Sequence, residues 1–145
     1  MTIDKSGIWW KGSSTKDIAP YLKELYADSY PINEHRLSVC SCGSEVFFLH
    51  WIPDEGAVRR TCARCGEKHF VCDSEENWEG RPKRFKCIEC KSAEANFGVS
   101  FSLYDDRSAI RWIYTGCRCT TCGVLGSFAD WKVGYAPSIQ LLLQA

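Results

Sequence analysis

Ten cysteines in a chain of 145 residues carry most of the chemistry this sequence can offer, and eight of them fall into four close pairs. The pairs are Cys40 with Cys42, Cys62 with Cys65, Cys87 with Cys90, and Cys119 with Cys122. Thiolates bind zinc best as a tetrahedral set of four, with each pair supplied by one tight turn. Nineteen residues separate Cys42 from Cys62, inside the usual window for four-cysteine sites, and 28 separate Cys90 from Cys119. The spacing therefore predicts two zinc ions, one held by Cys40, Cys42, Cys62 and Cys65, the other by Cys87, Cys90, Cys119 and Cys122. Gly66 and Gly123 follow the second pairs directly, where a knuckle needs a residue at positive φ. Two alternatives stay open at this level. His35 can replace a ligand in the shorter Cys40-Ser41-Cys42 turn, and Cys117 forms a CxC with Cys119 that could release Cys122. Cys72 has no partner and reads as a small core residue.

The cysteine pairs belong to an internal repeat. Arg60 to Gly66 matches Cys117 to Gly123, each with CxxCG; Arg36 to Ser44 matches Arg84 to Ser92; Phe70 to Asp73 matches Ser127 to Asp130. The copies span about residues 36–76 and 84–133, with 77–83 as a linker, 1–35 as an N-terminal helix and tail, and 134–145 as a C-terminal helix.

On these four pairs and their flanking strands the chain resembles the zinc-ribbon superfamily, here in tandem over about two-thirds of its length. The resemblance implies a three-stranded antiparallel sheet per copy with zinc between two knuckles. It implies no single activity, since ribbons serve in transcription factors, polymerase subunits and ribosomal proteins.

Each copy must hold its knuckles on strands. Phe97, Val99, Phe101 and Leu103 alternate with Asn96, Gly98, Ser100 and Ser102, a period of two that predicts a strand with one buried face. Asp105 to Ser108 is the turn, and Ile110, Trp112 and Tyr114 mark the return strand. In the first copy Val46 to Ile52 is apolar on both faces, which predicts cover on both sides. It ends at Pro53, turns at Asp54-Glu55-Gly56 and returns through Val58 to Thr61. Ser14 and Thr15 can cap a helix over Lys16 to Ala27, with Ile18, Tyr21, Leu22, Leu25 and Tyr26 at helical spacing. Ser138 can cap a short helix through Gln144. The expected class is α+β, mostly β: two tandem zinc ribbons between an N-terminal and a short C-terminal helix.

At 16.5 kDa, with 45% hydrophobic and 25% charged residues, the chain has the composition of one folded unit, which excludes a large multi-domain enzyme. No run reaches the roughly 18 apolar residues of a membrane span, and the first twelve residues lack a signal-peptide core. The expectation is a cytoplasmic protein of bacterial type with reduced thiols and no membrane partner. Four thiolates close the zinc shell, leaving no position for catalytic water. No phosphate loop, HExxH helix or GxSxG elbow occurs, and the CxxC pairs lack a βαβ context. His50, in an apolar strand, reads as a core histidine. The nineteen aromatics (six Trp, six Tyr, seven Phe) mostly fill the core, with Trp9 and Trp10 outside any periodic element. The expected function is therefore non-enzymatic.

Formal charge is zero, but four thiolates on a divalent ion add about minus two per site. Residues 1–78 carry nine basic and twelve acidic side chains, and 79–145 carry nine and six. The expected role is a protein-interaction module that binds another protein: an acidic first half suits a basic partner, as for an inhibitor or immunity protein. The competing reading is a nucleic-acid regulator using the basic segment Arg81, Lys83, Arg84, Lys86 and Lys91, with Phe85 for stacking. A thiol enzyme using Cys72 or Cys117 is the third.

Overall fold

The computed structural model describes residues 3–53 and 56–145. Asp54 and Glu55, two residues of the expected turn, lie outside the described residues. The N-terminal helix is built from the cap outward. Ser14 caps a 3-10 turn, Thr15–Asp17, and the Asp17 carboxylate accepts from the Ser13 and Ser14 amides at 2.8 and 3.2 Å. Helix α1 (Ile18–Leu25) continues from it and buries Ile18, Tyr21 and Leu22.

Among the described residues nine strands follow: β1 (Glu34–Leu37), β2 (Phe47–Ile52), β3 (Ala57–Cys62), β4 (Lys68–Phe70), β5 (Lys83–Arg84), β6 (Glu94–Leu103), β7 (Ile110–Cys119), β8 (Leu125–Gly126) and β9 (Asp130–Lys132). All join one antiparallel sheet of order β4-β3-β2-β6-β7-β8, with β1 on β6, β5 on β2 and β9 on β7. This overturns the expectation of two separate three-stranded ribbons. The two cysteine-bearing halves share one sheet because β2 pairs with β6 at Phe47↔Ala95 and Phe48↔Glu94, and β1 takes the same edge of β6 from Glu34↔Phe101 to Leu37↔Gly98. Backbone edges that two isolated ribbons would leave open are thereby paired.

The long β6–β7 hairpin is the spine. Phe97, Val99 and Phe101 sit opposite Cys117, Thr115 and Ile113, and this face forms the main core with Phe47, Leu49, Val58 and Leu141. The Phe128 ring reaches residues of both β2 and β6, its centroid lying 4.3 Å from that of Trp51 and 6.4 Å from that of Phe97. The other face of β6 is small and polar in sequence yet buried along its length. Helix α1 covers it. Gly98 and Gly116 face each other, and a Cβ on Gly116 would stand 2.9 Å from Leu22 and 3.0 Å from Ile18. The two glycines let the helix settle directly on the backbone.

The C-terminal helix is also corrected. Ile139–Leu143 is a 3-10 turn, and the Ser138 hydroxyl accepts from the Ile110 amide at 2.8 Å rather than capping it. Leu141 enters the main core from this turn, and the Gln144 carbonyl accepts from the Cys72 amide. Among the described residues no helix is long and apolar enough to cross a membrane.

Candidate metal centres

Each centre is built on two knuckles. In the second arm of the first centre, β3 ends at Cys62, whose amide donates to Glu67 and whose carbonyl accepts from Gly66. The arm from Cys119 repeats this with Val124 and Gly123, and the arm from Cys87 repeats it with Ser92 and Lys91. The Cys40 arm is one residue shorter: its carbonyl accepts from Gly43 and its amide donates to Ser44. All four turns end on a residue at positive φ, namely Gly43 (91°), Gly66 (81°), Lys91 (69°) and Gly123 (83°). The CxC is thus the same knuckle shortened by one residue. The sequence signals Gly43, directly after Cys42, but nothing local marks Lys91, an L-residue in a glycine conformation.

These turns bring Cys40, Cys42, Cys62 and Cys65 together in one group and Cys87, Cys90, Cys119 and Cys122 in another, all four sulfurs of each within 4.8 Å. The closest approaches are 3.5 Å for Cys40–Cys65, 3.6 Å for Cys42–Cys62, and 3.5 Å for both Cys87–Cys122 and Cys90–Cys119. None is disulfide-bonded. A tetrahedron with metal–sulfur bonds of about 2.3 Å has edges of about 3.8 Å, so both groups fit a metal ion with little movement.

The local electrostatics divide the sulfurs of each centre. At Cys65 the Glu67 amide favours the thiolate, but contact with Cys40, then burial, outweighs it and pushes the thiol up to about 12; at Cys122 burial, then contact with Cys87, does the same. Cys62 and Cys119 go the other way. The Cys65 amide donates to the Cys62 sulfur at 3.4 Å, as does the Arg64 amide, and the Cys65 contact does most to bring the Cys62 thiol down to about 6. Burial opposes ionisation at Cys119, but the Cys122 and Thr121 amides outweigh it and hold that thiol at about 7. Arg60 is buried beside the first centre. Burial lowers its pKa, and the negative charge of Cys40, Glu67 and Cys62 opposes that shift. Its guanidinium donates to the Ala145 carbonyl at 3.1 Å. Lys11, ion-paired with Glu89 at 2.9 Å, stands near Cys122.

Neither alternative ligand joins a group. His35 lies on β1 with Nδ1 2.7 Å from the Ser100 hydroxyl, and burial, then Arg36, hold it neutral with a pKa of about 4. Cys117 faces Phe97 in the core, and burial pushes its thiol up to about 12. Two residues apart on a strand, Cys117 and Cys119 share a face but lie about 6.6 Å apart, so only the terminal one reaches the metal group. Cys72 is buried against the Leu141 carbonyl, and burial raises its pKa.

Of the candidate contact residues, Arg81, Lys83, Arg84, Lys86 and Lys91 are exposed. Phe85 is not: it is half-buried between the main core and the second centre.

The two equivalent glycines give a direct test of the knuckles. A Cβ on Gly66 meets nothing within 4 Å, whereas one on Gly123 would lie 2.6 Å from the Gly12 carbonyl oxygen. Gly66→Ala should therefore cost only the left-handed backbone penalty, about 1–2 kcal/mol. Gly123→Ala should cost about 1–3 kcal/mol more for overpacking, read from urea midpoints. Equal losses would contradict the close approach of Gly12.

No protein-family model, curated protein or solved structure matches this chain.

Proposed function

We propose that the protein is a non-enzymatic zinc protein in which both four-cysteine centres are structural and the sheet they hold is a binding module for another macromolecule. The observation that carries this reading is the pair of all-thiol groups. Four thiolates fill the tetrahedral shell of zinc and leave no place for substrate or water, so the ions can only hold chain segments together. The first ties the 40–42 turn to the end of β3, and the second ties the 87–90 turn to the end of β7.

For the partner, the acidic first half suits a basic protein, but several of its carboxylates are engaged within the fold. Asp73 accepts from the Trp131 indole at 3.0 Å and the Tyr135 hydroxyl at 2.8 Å, and Glu34 pairs with Arg36 and Arg107. The basic segment is not answered in this way. Glu89, its one internal carboxylate, is held by Lys11, and no ion pair joins Arg81, Lys83, Arg84, Lys86 or Lys91 to an acidic residue among the described residues. That observation favours an anionic partner.

Thiol labelling tests the non-enzymatic reading. In the zinc-loaded protein only Cys72 and Cys117 remain outside the centres, and both are buried. The expected result is no rapidly labelled thiol in the native state and ten after denaturation with a chelator. One thiol reacting at once in the zinc-loaded protein would support a thiol enzyme instead.

A further inference from the structure

The register of the sheet sets four side chains in one row across its outer surface. Arg84 of β5 pairs with His50 of β2, His50 with Arg59 of β3, and Arg59 with Phe70 of β4. With neighbouring strands about 4.8 Å apart, the row spans about 14 Å. The next row on the same face brings Glu94, Phe48, Thr61 and Lys68 together. Cations lie against rings within these rows. The Arg84 guanidinium stands 5.8 Å from the Phe48 ring, and that of Arg59 lies 5.1 Å from Trp78, whose edge meets Phe70 at 5.3 Å.

No ion pair reaches Arg59, Arg84 or Lys68 among the described residues. Among the described residues the Arg59 Nε and His50 Nδ1 have no hydrogen-bond partner. The field of these cations is visible at His50, where burial first, then Arg59, Arg84 and Lys68, lower the pKa. Past Arg84 the surface continues as a cavity of about 380 Å³ lined by Arg84, Phe85, Lys86, Lys91 and Ala93. A net negative protein can still bind an anion here, because charges beyond a Debye length of about 8–10 Å are screened.

We propose that the outer face of β5, β2, β3 and β4 binds single-stranded nucleic acid, with phosphates along Arg84, Arg59 and Lys68 and bases stacked on Phe48, Phe70 and Trp78. This deepens the binding-module reading by naming its partner. Cations alternating with half-exposed rings suit a strand whose bases are free to stack. A duplex keeps its bases stacked on each other, and an acidic peptide has no use for the rings.

The test uses the full zinc-loaded chain and fluorescein-labelled 15-mers of oligothymidylate and oligouridylate, read by anisotropy across a salt series. Each single-stranded probe should bind with an affinity that falls with salt. The double variant Arg59→Ala/Arg84→Ala should weaken binding at least about tenfold and lower the log–log salt slope by about 1.4, at about 0.7 per lost phosphate contact. Trp78→Ala should weaken binding by about tenfold with the slope unchanged. Because Arg84 is exposed on a two-residue strand, Arg84→Glu alone provides a variant that leaves the core untouched. Absence of binding at low salt, equal binding of a duplex of the same length, or full competition by polyglutamate at equal charge would each overturn the proposal. Zinc content and circular dichroism of the same samples judge the structural-metal reading separately, so a protein with two ions and a native spectrum that ignores the oligonucleotides refutes the nucleic-acid site alone.

Discussion

Cys119→Ser is expected to leave a chain that binds one zinc ion instead of two and has lost its native circular dichroism. Cys119 is fully buried at the end of β7, opposite Ala95, and its small cluster contains only Cys87 and Val124 with Phe85 and Cys122 against it. That cluster cannot hold the 87–90 turn by apolar burial alone. A structural zinc contributes about 10–16 kcal/mol of apparent binding free energy coupled to folding. The whole stability of a domain is about 5–15 kcal/mol. Loss of one ion is thus comparable to everything that keeps the chain folded. Cys117→Ala is the control: it removes a sulfur two residues away that touches core and not metal. It should keep both ions and lose about 1–2 kcal/mol, the ordinary effect of a small core truncation. If both variants bound the same amount of zinc, the assignment of Cys119 over Cys117 would fail.

Phe97→Ala should be the most damaging substitution away from the metal. Phe97 is fully buried in the middle of β6, with Cys117 opposite and the Phe128 ring beyond it, in the cluster that also holds Phe47 and Leu49 of the first copy. Truncation removes the ring and leaves a cavity bounded by a metal-tied hairpin and a paired sheet, neither free to collapse. The expected loss is about 3–5 kcal/mol, measured from urea unfolding of the zinc-loaded protein. Both ions should remain bound in the folded fraction, because the knuckles are local turns. A loss under about 1 kcal/mol would mean that β2 and β6 do not share one core.

Much of the local structure was legible in the sequence, and much of the assembly was not. The capping residues before α1 and the apolar positions on it predicted the helix, although its regular part stops at Leu25, short of the expected Ala27. The β6–β7 hairpin followed from strict alternation, but the alternation misled on burial. Gly98, Ser100 and Ser102 look like a solvent face, yet all are buried: Ile18 of α1 would stand 3.2 Å from a Cβ on Gly98, and the His35 ring meets the Ser100 hydroxyl. Pairing of β2 with β6 was hidden because an edge-to-edge hydrogen-bonded ladder leaves no periodic mark in either strand. The apolar stretch of β2 predicted cover on both faces, but Phe47, Leu49 and Ile52 are buried while Phe48, His50 and Trp51 remain half-buried, so the cover is only partial.

The cysteine groups were readable because knuckles are local and their spacing is short. The choice between Cys117 and Cys122 depended on whether a CxC lies in a turn or on a strand, which sequence spacing alone does not distinguish. The basic row across β5, β2 and β3 was the least legible feature. Its residues are 9 and 25 positions from one another, at Arg59 with His50 and with Arg84, and only the register unites them.

Metal content measured on the purified chain, followed by chelation under circular dichroism, addresses the central claim most directly. Two zinc ions per chain are expected, with loss of the β-sheet spectrum when a strong chelator removes them and recovery on adding zinc back. Fewer than two ions together with a spectrum indifferent to the chelator would show that the sulfur groups do not hold this sheet together.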